Sequence, residues 1–259
     1  MSTILFNEIV FGPLHSRRLG VSLGINLLPY NGKLCSFDCI YCECGYNENF
    51  RTKTKVPERE MVKAALEDKL IKLQTENVTP DVITFAGNGE PTMHAKFAEV
   101  IDDTIELRNK YFPQAKVCVL TNAMHLNKKS VVDALKKIDY SILKLDSAND
   151  ETARLIDRPV SPAYSIARQL ELFKQFDGKF VIQTMFVRGT HRGKIVDNAT
   201  EEEITAWLKV IEQAQPSQVM IYTIDRETPE KNLEKVSLSE LNEIGKRVEA
   251  LGISVSVSG

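Results

Sequence analysis

The chain lacks most of the features that mark a zinc finger, a membrane protein or a nucleic-acid binder. Its 259 residues include four histidines and one tryptophan, with no H-x3-H pair and no second C-x2-C. The paired ligand segments of a structural zinc site are therefore missing. No apolar run approaches the roughly 20 residues of a membrane-spanning helix. Met1–Val10 shows no cationic stretch followed by an apolar one and a small-residue cleavage site, so no secretory leader is expected. A net charge of -2 gives no global basic footprint for nucleic acid or an anionic membrane, although a local patch stays open. There is no low-complexity tract. What remains is ordinary globular composition, 43% hydrophobic and 26% charged, in a length that single α/β barrels commonly have.

Cysteine is scarce as well, yet four of the five lie together: Cys35, Cys39, Cys42 and Cys44, with Cys118 apart. Thiolates are soft ligands suited to iron–sulfur clusters, zinc or Cu(I). Three thiols on one irregular loop suit three corners of a cubane, leaving one iron without a protein thiolate. Ferredoxin-type loops read C-x2-C-x2-C, and the longer first gap here is a different pattern. Clustered free thiols without a leader fit a reducing, cytoplasmic setting. Cys35-x3-Cys39-x2-Cys42, with the aromatic Tyr41 before the third cysteine, resembles the cluster motif of the radical S-adenosylmethionine (SAM) superfamily. The resemblance implies a [4Fe-4S] cluster held by those three cysteines. It also implies SAM bound through its amino and carboxylate groups to the open iron, and an external one-electron donor of flavodoxin or ferredoxin type.

Along the chain, strand and helix patterns alternate. Residues 3–12 read as a short strand, 21–28 as a buried one, and 57–76 as a helix with Val62, Leu66, Leu70 and Leu73 at helical spacing. Strands follow at 81–86, 116–120, 140–145, 179–187 and 218–224, with a weak closing strand at 253–257. Helices are expected around Phe97, Ile101 and Ile105, at 128–137 and 162–176, and after the capping patterns Thr200-x-x-Glu203 and Ser237-x-x-Glu240, the last stopping at Gly252. Six strand–helix units with crossover connections predict an α/β fold, a partial (β/α)6 TIM-like barrel open on one side. We expect one domain over residues 1–259, with 1–20 as an extension packed on the barrel.

In such sheets the chemistry sits beyond the C-terminal ends of the strands, where the polar motifs fall. Gly87-Asn88-Gly89-Glu90-Pro91 reads as a Gly-rich turn or as a close backbone approach with a carboxylate facing an ammonium group. It resembles the superfamily's Gly-Gly-Glu(-Pro) motif for the SAM amino group, although Asn88 stands where the family usually has its second glycine. Asn122, Asp146 and Ser147 are ordinary helix caps on one reading. By the resemblance they, with Lys144, reach the SAM ribose and carboxylate. Lys144 faces the barrel interior if Leu143 and Leu145 face the helices, and would then need an anionic partner. Arg188, His191 and Arg192 crowd a loop after the fifth strand, where incidental and ligand-binding roles compete. Ile221-Tyr222 resembles the family's adenine contact and is equally a core pair. Trp207 and Cys118 read as packing, and Cys44 as a spare thiol, a supporting group or a hydrogen-atom donor.

Ahead of the cysteines, Gly12-Pro-x-x-Ser-Arg-Arg-Leu-Gly20 resembles a branch related to the wyosine-synthesis enzymes, and Arg17 and Arg18 suit bidentate anion recognition. The reading is a radical SAM enzyme acting on an unidentified substrate, a small molecule in preference to nucleic acid or protein, with no membrane partner. No residue is assigned to substrate chemistry. The rival is a non-catalytic iron–sulfur or zinc protein for electron transfer or binding.

Overall fold

The computed structural model describes residues 4–16 and 19–259. Arg17 and Arg18, and the anion site expected of them, lie outside the described residues. The elements in chain order are β1 (Val10–Ser16), β2 (Gly20–Ile25), α1 (Arg59–Thr75), β3 (Val82–Phe85), α2 (Phe97–Tyr111), β4 (Lys116–Thr121), α3 (Lys129–Leu135), β5 (Tyr140–Lys144), α4 (Asp150–Ile156), α5 (Ile166–Phe173), β6 (Val181–His191), β7 (Lys194–Asp197), α6 (Glu201–Ala214), β8 (Gln218–Thr223), β9 (Leu233–Lys235), α7 (Leu238–Glu249) and β10 (Ser254–Ser258).

The sheet runs β1-β2-β3-β4-β5-β6-β8-β10, and every pairing from β2 to β10 along this path is parallel. Its two edges, β1 and β10, do not meet, so the curled sheet is the open partial barrel that the alternation predicts. Strands covered on both faces read as continuous apolar runs, and β3 (Val-Ile-Thr-Phe) is buried at each position. The helices supply the other layer: Val62, Leu66, Leu70 and Leu73 of α1 are buried in the main core, along with Leu241, Ile244 and Val248 of α7.

Several local expectations change. The first strand begins at Val10 and pairs antiparallel with β2. Pro57 precedes the cap residue Glu58 instead of opening α1. An extra helix, α4, follows β5, capped by the Asn149 side chain on the amide of Glu151 at 2.8 Å. The largest correction concerns residues 188–191, which do not form a loop. β6 continues through them, pairing antiparallel with β7 and with β9. Gly189 permits this, because at φ +127° a Cβ there would lie 1.9 Å from the Asn232 carbonyl oxygen. Thr200 caps α6, but Glu203 does not return to the cap; its carboxylate accepts from Ser147 Oγ (2.7 Å) and Thr152 Oγ1 (2.6 Å). Ser237 and Glu240 form the full reciprocal box. Among the described residues no helix is long and apolar enough to cross a membrane.

Residues 26–58 join β2 to α1 without a helix or named strand and carry the cysteines. Long connections of this kind in a compact fold are usually functional. Backbone bonds tie this one down. Asp38 N donates to Asp157 O (3.0 Å), Ile40 N to Ile156 O (2.9 Å) and Val160 N to Ser36 O (2.9 Å), so the segment after α4 lies along it like a strand.

Candidate active site

Cys35, Cys39 and Cys42 line one cavity of about 360 Å3 at the C-terminal ends of the parallel strands, together with Tyr41, Gly89, Glu90, Asn122, Lys144 and Tyr222. Glu90 caps the turn after β3. Its Oε1 accepts from Thr121 Oγ1 (2.6 Å), Thr92 Oγ1 (2.5 Å) and Thr92 N (3.1 Å), and its Oε2 from Asn122 N (2.7 Å). Burial pushes its carboxyl above the ordinary range, against the lowering effect of these donors. Asn122 in turn donates Nδ2 to Ser36 Oγ (2.9 Å) and to Cys35 Sγ (3.7 Å). One chain of hydrogen bonds thus runs from Glu90 to the first cysteine.

The Gly-rich turn is pinned from both sides. Gly89 forms a parallel bridge with Leu34, and a Cβ on it would lie 1.9 Å from the Leu34 carbonyl oxygen, so only glycine fits beside the cysteine loop. Asn88 turns away from the cavity and is fully buried. It imitates a strand neighbour, accepting from Phe6 N (2.8 Å) and donating to Phe6 O (2.8 Å) and Pro29 O (2.8 Å). The departure from the glycine pattern therefore leaves the cavity wall clear.

On the opposite wall, Lys144 meets the anion its position requires, Asp146 at 3.0 Å, with Asp157 at 3.8 Å. Tyr41 OH donates to Asp146 and accepts from Lys144. Burial works against the Lys144 charge, but Asp146 above all outweighs it and holds the ammonium well above its ordinary value. Asp157 Oδ1 accepts from Cys39 Sγ at 3.5 Å, while its Oδ2 has no partner. Burial, then Glu90, push the Cys35 thiol up to about 12. The Cys44 thiol, and after it the Lys33 ammonium, bring Cys42 down to about 6 against the cost of burial.

Four expected residues stand outside this cavity. Asp146 bonds Tyr41 and Lys144 and does not line it. Ser147 bonds Glu203 and the turn before α4. Arg188 binds Asp197 (3.1 Å) and Glu240 (2.7 Å), joining the hairpin to the start of α7. His191 is buried against Glu230 at 2.7 Å. Residues missed from sequence are Lys33, buried with Nζ 2.5 Å from the Gly45 carbonyl oxygen and 3.6 Å from Asp38, and Thr92, Thr121 and Asp157. Thr121 closes β4 and Thr92 lies in the turn after β3, beside the noticed residues; Lys33 and Asp157 carry no local signal.

The donor set fits a soft, multi-metal group: three cysteines, one of them readily a thiolate, in a wall with buried cations behind it. Among the described residues no three histidine, cysteine or carboxylate side chains converge on one ion position. Ligands that bind separate irons need not converge, whereas those of mononuclear zinc must. The model of the radical SAM superfamily matches residues 32–199, well over half of the chain. This chain belongs to the radical SAM superfamily. Its members are enzymes that use a [4Fe-4S] cluster and SAM.

Similar proteins include a UPF0026 protein of Helicobacter pylori, 31% identical over 250 residues, which covers 95% of this chain and 76% of that protein. A Brachyspira hyodysenteriae protein named GTPase Obg is 31% identical over 245 residues; the match takes in 93% of this chain but only 33% of the relative's length. Among solved structures, a radical SAM methyltransferase from Sphaerobacter thermophilus superposes with a TM-score of 0.66 at 13% identity, covering 92% of this chain and 65% of that one. SuiB of Streptococcus suis bound to S-adenosylmethionine gives 0.63 at 18% identity, over 90% and 50% of the two chains. TYW1 with a lysine-pyruvate adduct gives 0.60 at 15% identity, over 88% and 73%. Likeness at these identities is one of fold.

Proposed function

We propose that this radical SAM enzyme holds its [4Fe-4S] cluster through Cys35, Cys39 and Cys42 and takes SAM into the cavity between those cysteines and Glu90. Bound there, the two cofactors would supply one-electron cleavage of the sulfonium carbon–sulfur bond, to methionine and a 5′-deoxyadenosyl radical able to take a hydrogen atom from the substrate. The observation that carries this reading is the hydrogen-bonded run Glu90–Asn122–Ser36/Cys35 along one buried cavity wall.

Each residue then has a physical task. Glu90 Oε2, with one donor of its own, accepts from the ligand's ammonium group. Lys144, kept charged by Asp146, faces an anionic group in the cavity, and Tyr41 fixes that lysine. Tyr222, Gly89 and Met185 supply an apolar or close wall that excludes water. Asp146 is a positioning residue; Ser147, Arg188 and His191 hold the surrounding frame. We further infer that residues 1–259 act as one unit, that the substrate is a small molecule, and that the protein works in the cytoplasm.

The test is anaerobic reconstitution, reduction with dithionite and addition of SAM, alongside Cys39→Ala. About four irons per chain and 5′-deoxyadenosine that disappears in the variant are expected. Zinc in place of iron, or a loaded cluster that leaves SAM intact, would sink the proposal.

A further inference from the structure

Cys35 lies between two cavities. One is the site above. The other, about 460 Å3, opens on the far side of Cys35 and Ser36, between the segments that follow β3, β4 and β5. Beside Cys35, its ionisable lining residues are Tyr164, His125, Lys128 and Arg168, with no carboxylate among the described lining residues, in a chain whose net charge is negative. Lys128 and Arg168 supply the positive charge of this lining, and burial, then Lys128, lower the His125 pKa. Both are exposed, and no ion pair is found for either among the described residues. The nearest carboxylates on α3 and α5 are already taken, Asp133 by Lys129 at 2.6 Å and Glu171 by Lys174 at 2.6 Å.

The rim is apolar at one point. Val160 is 67% exposed, yet its backbone N donates to Ser36 O in the cysteine loop at 2.9 Å. Met93, Met124 and Leu172 continue that surface. An exposed hydrophobe with unpaired cations beside it is the composition of a transient interface with an acidic partner, in which apolar contact sits inside a charged rim.

We propose that this face is the docking site for an acidic one-electron carrier protein, holding a reduced flavin or an iron–sulfur group. The inference rests on the function proposed above. One electron leaves the carrier, which is oxidised by one, and enters the metal group held by Cys35; no bond forms or breaks. Charge complementarity selects the occupant: two unpaired cations on a carboxylate-free face attract an acidic protein, and steering of this kind raises association rates by roughly 10- to 1,000-fold, less so as salt screens it. The position also leaves the other side of Cys35 free for SAM and substrate.

The test uses the cluster-loaded chain and two reductants, photoreduced flavodoxin and dithionite, following loss of cluster absorbance by stopped flow. Lys128→Glu with Arg168→Glu should slow reduction by flavodoxin about tenfold or more and leave the dithionite rate unchanged. Val160→Asp should do the same, and Lys209→Glu on α6 should do neither. Flavodoxin reduction of the unaltered chain should slow as salt rises.

Unchanged flavodoxin rates in all variants would overturn the docking face. So would equal slowing with both reductants, which places the effect on the cluster itself. Suppression of the flavodoxin rate by micromolar citrate would give the cavity to a small anion. A dimer lost in the same variants would give it to a second copy of the chain. Either result overturns the proposal. A chain that takes up no iron would sink the function as well, whereas a loaded chain with indifferent variants sinks the docking face alone.

Discussion

At the ends of β3, β4 and β5, Glu90, Asn122 and Lys144 turn into one cavity, and their partners are one another's neighbours. Along the β6–β7 hairpin, Arg188 and His191 are side chains of the same chemical kind, but each pairs with a carboxylate from a different part of the frame. The difference lies in where the strand stops. β3 to β5 end level with the cysteine loop, so the residues beyond them face it. β6 runs on into a hairpin and carries Arg188 and His191 past the site. A polar residue after an apolar run therefore marks a site where the strand stops beside the cysteine loop, and a frame contact where the strand runs on past it.

Substitutions can break this contrast. The largest effect is expected from Lys144→Met, which leaves Asp146 and Asp157 buried without their cation and should cost about 3–5 kcal/mol in chemical denaturation. A loss under about 1 kcal/mol would mean that one carboxyl is already neutral. Glu90→Gln comes next: it replaces a charge-assisted acceptor, so SAM affinity measured by equilibrium dialysis on the loaded enzyme should fall about tenfold or more. Arg188→Gln should lower stability by only about 1 kcal/mol and leave SAM affinity unaltered. A tenfold loss of SAM affinity there would erase the distinction between the two regions.

The smallest effect has a pH signature. Ser237 and then Arg188 hold the Glu240 carboxyl down at about 2. Its folded value is below the unfolded one, so its stabilisation is full above the ordinary carboxylate value of about 4.3 and is lost as pH falls through about 2. The melting temperature of Glu240→Gln should accordingly lie below that of the unaltered protein at pH 6 and converge on it near pH 2. A gap that persists in acid would assign the effect to something other than the charge.

The sheet was legible because parallel strands buried on both faces leave unbroken apolar runs, as at Val82–Phe85, and because the helices between them keep a helical period. The cysteine motif and Glu90 were legible because their spacing is local. What stayed hidden depends on pairing between distant segments. The extension of β6 needs β7 and β9 beside it, and Asp157 matters only because residues 156–160 run along the cysteine loop. The capping signal of α4, Asn149 followed by Asp150 and Glu151, is local, but the 7-residue helix it opens is too short to show a clear helical period. Lys33, two residues before the first cysteine, gives no sign in sequence that its side chain is buried beneath the loop.

The mimicry at Asn88 reaches further than the turn that contains it. By standing in for a strand, its amide fastens Phe6 to the cavity wall, which Phe6 helps to line, while Ile4 N reaches the Glu43 carbonyl oxygen at 3.0 Å. Ile4 and Phe6 are thus masonry of the site and not its trimming. Shortening the protein to the start of β1, or fusing a bulky affinity label just before it, would breach a wall more than eighty positions away in sequence. Whoever prepares this enzyme for spectroscopy would do well to leave that end untouched.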